Sequence, residues 1–234
     1  PPTLAFLDQF GYSDVPMELI ATIMSNQSCE VFSYLDFNRL NHTLSDPAKE
    51  AAVTKALASS DWKQAINLNG ADRETFLRDT YKRALHEKGK AEYVTHFSMH
   101  GKDGRLLYWL FFCSGNDRGL EEMKEAMWDV APSGDFIFSD KHAGQPLLLK
   151  QFTQDWLADV LAADLAGKTM SVEEVRLYVL TETPCVKYKE ALKLLELSPD
   201  SKITAINPSP KRRRGTFAEP KMKIRFKDVS LFGP

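Results

Sequence analysis

The chain has 234 residues, 43% hydrophobic and 26% charged, with 30 Lys and Arg against 32 Asp and Glu, an ordinary globular composition. The near balance of charge excludes a whole-chain electrostatic case for nucleic-acid binding, so any basic site has to be local. No apolar run approaches the ~20 residues that cross a bilayer, and the three cysteines, Cys29, Cys113 and Cys185, are isolated, which argues against a disulfide framework or a cysteine zinc site and fits a reducing cytoplasm.

The chain opens inside a strand-like segment with no signal peptide, so it is expected to be the C-terminal part of a longer protein. Leu4 to Leu7 is an apolar run with no polar alternation. That pattern reads as a strand of a parallel sheet, covered on both faces and central. Asp8-Gln9-Phe10-Gly11 follows at its carboxyl end, where open α/β sheets bind ligands. Asp14 and Pro16 then introduce a helix whose Met17, Ile20, Ile23 and Met24 share a face. Cys29 to Phe37 reads as a second strand. Strand, helix and strand with short links imply a right-handed parallel crossover.

A helical insert comes next. Ser45-Asp46-Pro47 starts a helix running from Ala48 to Leu57, and Asp72 caps another over Arg73 to Lys88. Trp62 and Ile66 between them are expected to dock the insert. Ala91–His100 and Arg105–Cys113 read as a hairpin joined by Gly101-Lys102-Asp103-Gly104. The apolar run Leu106 to Phe112 places the second hairpin strand inside the sheet, buried on both faces. Gly119 to Val130 is an amphipathic helix with Leu120, Met123, Met127 and Trp128 inward, and Phe136 to Phe138 is a short strand.

From about Gln145 the character changes. Phe152–Leu165, Val172–Thr181 and Val186–Leu197 read as three helices, the second capped by Ser171. Ile203–Asn207 and Met222–Phe226 read as strands joined by a long basic link. Three short helices and a hairpin with a basic tip are the pattern of a winged helix-turn-helix. Its wing would carry Lys211, Arg212, Arg213 and Arg214, and the helix after the turn Lys187, Lys189 and Lys193. In such a module the wing meets phosphates or the minor groove and the helix enters the major groove.

The order of strand, helix, strand, helices and a hairpin with a buried last strand resembles the C-terminal half of a class I S-adenosylmethionine-dependent methyltransferase. The stretches FLDQFGYSDVPMELI, GLEEMKEAMW, Phe138 to Gln145, SVEEVRLYVLTETP and RRGTF are similar to those of the three-Cys-motif partner protein family. The likeness covers most of the chain. It implies a bacterial protein with a Rossmann-like, methyltransferase-like core, S-adenosylmethionine as methyl donor, and a three-Cys-motif protein as partner. Cys29, Cys113 and Cys185 are not that motif, which belongs to the partner.

The family carries Asp-Pro-Phe-Gly where this chain has Asp8-Gln9-Phe10-Gly11. By analogy with amino-methylating enzymes, Asp8 would accept a hydrogen bond from the target amine, Gln9 would add a polar contact, and Phe10 or Tyr12 would stack on a base. The alternative is that Asp8 caps the next helix and Phe10 is core. The glycine-rich turn that holds the donor is not in these residues and is expected upstream of Pro1. His96 and His100 share a strand face, but a metal would need a further ligand, and the structural reading is favoured. Asp140, Lys141, His142 and Gln145 form a polar loop cluster with no spacing that dictates a chemistry.

The expected organisation is thus α/β. Residues 1–143 form a methyltransferase-like mixed sheet with a helical insert over about 38–90, and residues 144–234 form a winged helix. Two functions follow. One is a methyltransferase whose winged helix directs it to DNA or RNA, with no membrane association and no metal. The other is a catalytically inactive module of that fold that binds nucleic acid or a partner protein.

Overall fold

A computed structural model describes residues 2–8, 15–131, 134, 136–139, 152–206 and 212–228. The chain divides into two compact units, residues 1–132 with 136–146, and residues 133–135 with 147–234. The first is α/β around a mixed five-stranded sheet, and the second carries a three-stranded antiparallel sheet.

In the first unit β1 (Thr3–Leu7) and β2 (Cys29–Leu35) run parallel, with Leu7 opposite Ser33. The crossover helix α1 (Met17–Met24) buries Met17, Ile20 and Met24, spaced so that they share one face. Pro16 sits at its N-cap with an extended ψ of 147°, one position earlier than the first-turn place expected for it. β2 alternates strictly. Cys29, Val31, Ser33 and Leu35 are buried on one face, while Glu30, Phe32 and Tyr34 are half-buried on the other. The strand stops at Leu35, two residues short of expectation, because the Asp36 carboxylate accepts the Arg39 N–H at 2.8 Å and caps a short helix, α2 (Phe37–Thr43).

The insert continues through α3 (Glu50–Leu57) and α4 (Gly70–Glu87). Trp62 between them docks as expected, 2% exposed with its indole N–H on Thr54, whereas Ile66 is 39% exposed. Asp72 lies in the first turn of α4 and is not its cap, which is Asn69. The hairpin of β3 (Tyr93–His100) and β4 (Leu106–Ser114) is closed by a Gly101 N–H to Arg105 C=O bond, with Gly104 at a positive φ of 79°. Helix α5 (Asp117–Val130), capped by Asn116, leads on toward β5 (Ile137–Ser139).

The sheet order is β1-β2-β4-β3-β5, with β4 antiparallel to both neighbours and β5 parallel to β3. β4 therefore lies inside the sheet, as its apolar run requires. One face of it, Trp109, Phe111 and Cys113, is buried under α2 and α4 with Tyr81 and Leu85. Each such fully buried large side chain contributes about 1.5–3 kcal/mol. The other face is covered less completely, since Tyr108 and Leu110 are half-buried, although Phe112 on the same face is buried.

β1 departs most from expectation. It is an edge strand of the described sheet, and Leu4 and Phe6 are 57% and 58% exposed. The crossover helix covers only the face shared by Ala5 and Leu7, which pack on the main core. On the opposite face, Phe6 continues a row of rings through Phe32 and Phe112 at centroid spacings of 6.0 and 5.3 Å.

The second unit contains α6 (Gln154–Asp164), β6 (Thr169–Ser171), α7 (Val172–Glu182), α8 (Tyr188–Leu197), β7 (Ile203–Ile206) and β8 (Lys223–Phe226). Ser171 and Glu174 form a complete capping box at the start of α7. The three helices and the terminal hairpin follow the sequence reading. β6 was not anticipated, and it completes a sheet of order β6-β8-β7 by pairing antiparallel with β8.

Candidate functional site

Two surfaces gather the candidate functional side chains, one in each unit. In the first unit, parallel β1 and β2 present their carboxyl ends at the same sheet edge. Asp8, exposed, follows one and Asp36 follows the other. Since β4 runs the opposite way, its first turns reach that edge too. Tyr108 there packs on Tyr34, with centroids 4.7 Å apart and rings tilted by 40°. Burial pushes the Tyr34 phenol up to about 12, reinforced by the charges of Asp36 and Asp8 and by Tyr108, and opposed by Arg39. Tyr34 is therefore a neutral phenol at ordinary pH, flanked by two carboxylates. Arg39 stands 3.9 Å from Asp36 through its Nε. The edge thus offers carboxylate acceptors beside the aromatic faces of Tyr34, Tyr108 and Phe6.

Of the residues expected here, Asp8 is placed at the strand end. Gln9, Phe10 and Gly11 lie outside the described residues, as do Tyr12, Asp14 and the loop cluster Asp140, Lys141, His142 and Gln145. Asp36, Tyr34 and Tyr108 were missed. The signal for the first two was present as a repeat, since Phe6-Leu7-Asp8 and Tyr34-Leu35-Asp36 are the same aromatic-Leu-Asp ending on two adjacent parallel strands. His96 packs against Phe111 at 5.7 Å, and His100 Nδ1 lies 3.0 Å from the Gly104 carbonyl oxygen. Burial, with the charges of Arg78 and Lys82, holds His96 well below the usual imidazole range. Among the described residues no group of three His, Cys, Asp or Glu side chains could hold a metal ion.

In the second unit, residues 186–227 contain twelve Lys and Arg against four Asp and Glu. Lys187 precedes α8, exposed, while Lys189 and Lys193 project from it one turn apart. The expected tip arginines do not behave alike. Lys211 lies outside the described residues. Arg213 is exposed. Arg212, whose side chain is 9% exposed, forms a two-pronged ion pair with Glu196 of α8, itself 6% exposed, through contacts of 2.8 and 2.7 Å. Its Nε donates to the Thr216 carbonyl at 2.9 Å, and its guanidinium lies 4.9 Å from the Phe217 ring centroid. Arg214 donates to the Glu196 backbone carbonyl at 2.7 Å. Arg212 is thus a structural cation whose three nitrogens all donate within the protein.

Glu196 also accepts the Gly215 N–H at 2.6 Å. Burial raises its pKa, but the Arg212 and Gly215 hydrogen bonds, with the charges of Arg212 and Arg214, outweigh that and leave the carboxyl below its ordinary value. Gly215 has a φ of 79°, and a Cβ there would stand 3.1 Å from Lys193 Cγ and 3.2 Å from Leu197 Cδ1. The segment after the basic run therefore lies directly on the Lys193 stem.

The chain matches no family model, no curated protein and no solved structure. No described helix is long and apolar enough to cross a membrane.

Proposed function

We propose that this protein is methyltransferase-like and that its second unit is a winged helix holding DNA or RNA. The observation that carries the nucleic-acid part is the exposed cationic surface of α8, where Lys189 and Lys193 lie one turn apart beside a basic segment packed on the same helix. The order helix, strand, helix, helix, strand, strand, with the first strand paired to the last, supports the winged-helix reading. The antiparallel β4, inserted between β2 and β3, supports the methyltransferase-like reading, as does Asp8 at a carboxyl strand end. So does the likeness to the three-Cys-motif partner family drawn from the sequence.

The described residues fit only the target side of such a site. Asp8 and Asp36 can accept hydrogen bonds from an amine, and Tyr34 and Tyr108 can face a planar base. The strand end at Leu35-Asp36-Phe37 carries no glycine-rich turn for S-adenosylmethionine, so no methyl-transfer step is assigned to these residues. A second reading, an inactive module that recruits a protein, is favoured by a separate observation. An apolar groove of about 340 Å³ between the sheet and α5, lined by Phe32, Phe97, Met99, Leu110, Met123 and Met127, adjoins the exposed Phe6 row.

The test is binding of labelled duplex DNA and RNA by the full chain across a salt series. Lys189→Ala with Lys193→Ala should weaken binding of all sequences alike and lower the log–log salt slope by about 2, one unit per lost phosphate contact. An unchanged slope would remove α8 from the interface. Calorimetric titration of S-adenosylmethionine into the full-length protein, with any residues upstream of Pro1, tests the enzyme reading, and retained nucleic-acid binding with no donor uptake there favours the inactive module.

A further inference from the structure

Lys189, Lys193 and Glu196 fall at i, i+4 and i+7 of α8, a single stripe along the helix. The stripe begins as two exposed cations and ends in a buried anion. Glu196 is buried because the segment from Arg212 to Phe217 lies over it, anchored by both carboxylate oxygens, by the Gly215 N–H and by the Glu196 backbone carbonyl. Gly215, at a φ of 79° that strains any side chain and with a Cβ position only 3.1 Å from Lys193 Cγ, brings the segment's backbone onto Lys193 and Leu197. Between these fixed neighbours sits Arg213, exposed, with its backbone carbonyl accepting the Thr216 N–H at 3.2 Å.

We infer that Glu196 and Arg212 are a positioning pair. They bind no ligand but hold the basic segment in register with α8, so that Arg213 joins Lys189 and Lys193 as one phosphate-contacting surface. The inference rests on the nucleic-acid reading above and adds to it which arginine faces the ligand. The electrostatics give it a clean prediction. Arg212 and Glu196 cancel, so the pair contributes almost nothing to the long-range field that draws in a polyanion. Its value to binding is geometric, since an arginine held in place loses less conformational freedom on meeting a phosphate than one on a loose loop.

The experiment uses the full chain and a mixed-sequence DNA duplex of about 20 base pairs. In Glu196→Leu with Arg212→Met the net charge is unchanged and the buried volume is kept, a replacement that buried ion pairs tolerate. Hydrogen exchange at residues 212–217 should rise while the circular dichroism of the unit is retained. Affinity should fall roughly tenfold, and the salt slope should drop by about 1, the share of Arg213. Arg212→Lys, which keeps the charge but not the two-pronged geometry, should give an intermediate loss if the double variant proves unstable.

Equal affinity and slope for wild type and both variants would overturn the positioning role. So would an unchanged affinity and salt slope in Arg213→Ala, because Arg213 would then contact no phosphate. Failure of the underlying reading looks different. There Lys189→Ala with Lys193→Ala leaves binding unchanged, or the wild type does not bind, whatever happens at Glu196.

Discussion

Ser33 and Tyr81 provide the sharpest test of how the first unit is held together beneath its candidate site. Ser33 is 0% and Tyr81 2% exposed, and their hydroxyls are 2.7 Å apart. The bond fastens α4 to the middle of β2, directly before Tyr34 and Asp36. Tyr81→Phe keeps the ring and its edge-on contact with Phe111 at 4.9 Å, so its cost isolates the hydroxyl. It leaves Ser33 Oγ in the core without this partner, a penalty of about 1–3 kcal/mol. Ser33→Ala strands the Tyr81 hydroxyl at a similar cost. The double variant strands neither, so it should lose well under the sum of the singles, with a coupling of at least about 1 kcal/mol. Urea unfolding followed by the fluorescence of Trp62 and Trp109, both 2% exposed, measures all four proteins. Strict additivity would refute the argument, because it would mean that water satisfies each hydroxyl when the other is removed.

The depressed Glu196 carboxyl should make the second unit acid-sensitive. A group whose folded pKa lies below its unfolded value of about 4.5 stabilises fully above that value and loses the contribution as pH falls through the folded pKa. Thermal unfolding followed at Trp156 should therefore show an acid limb below about pH 4.5, and this limb should shrink in Glu196→Leu with Arg212→Met. At the other candidate site, Asp36→Asn removes the leading charge that raises the Tyr34 phenol toward about 12. Ultraviolet titration should then show one tyrosine ionising at lower pH than in the wild type, and an unchanged curve would separate Asp36 from Tyr34.

Periodicity made most of this architecture legible. The i, i+3, i+7 stripe of α1, the Asp-Gly hairpin link and the apolar run of β4 are local signals, and each produced its element. The misreadings share a non-local cause. Leu4 to Leu7 has the composition of a doubly covered strand, but a helix covers one face only and β1 pairs with β2 alone among the described strands. Phe37 extended the aromatic run of β2, and nothing in hydropathy marks that Asp36 would turn to cap Arg39 N–H. β6 is three residues long, too short to alternate, and exists because β8 pairs with it from more than fifty residues away.

The basic run 211–214 is the clearest instance of charge misjudged from sequence. Four consecutive cations read as one solvated patch, and sequence alone gives each the same claim on a phosphate. The fold separates the described three. Glu196, 16 residues upstream of Arg212, takes both prongs of its guanidinium into a buried pair, and its backbone carbonyl takes a hydrogen from Arg214. Unpaired burial of either partner would be costly, so the pair constrains helix and segment together. That leaves Arg213, exposed, as the arginine of the three that is not engaged with Glu196. A basic cluster with one buried acid beneath it should therefore be divided into structural and ligand-facing cations before a binding role is assigned to any of them.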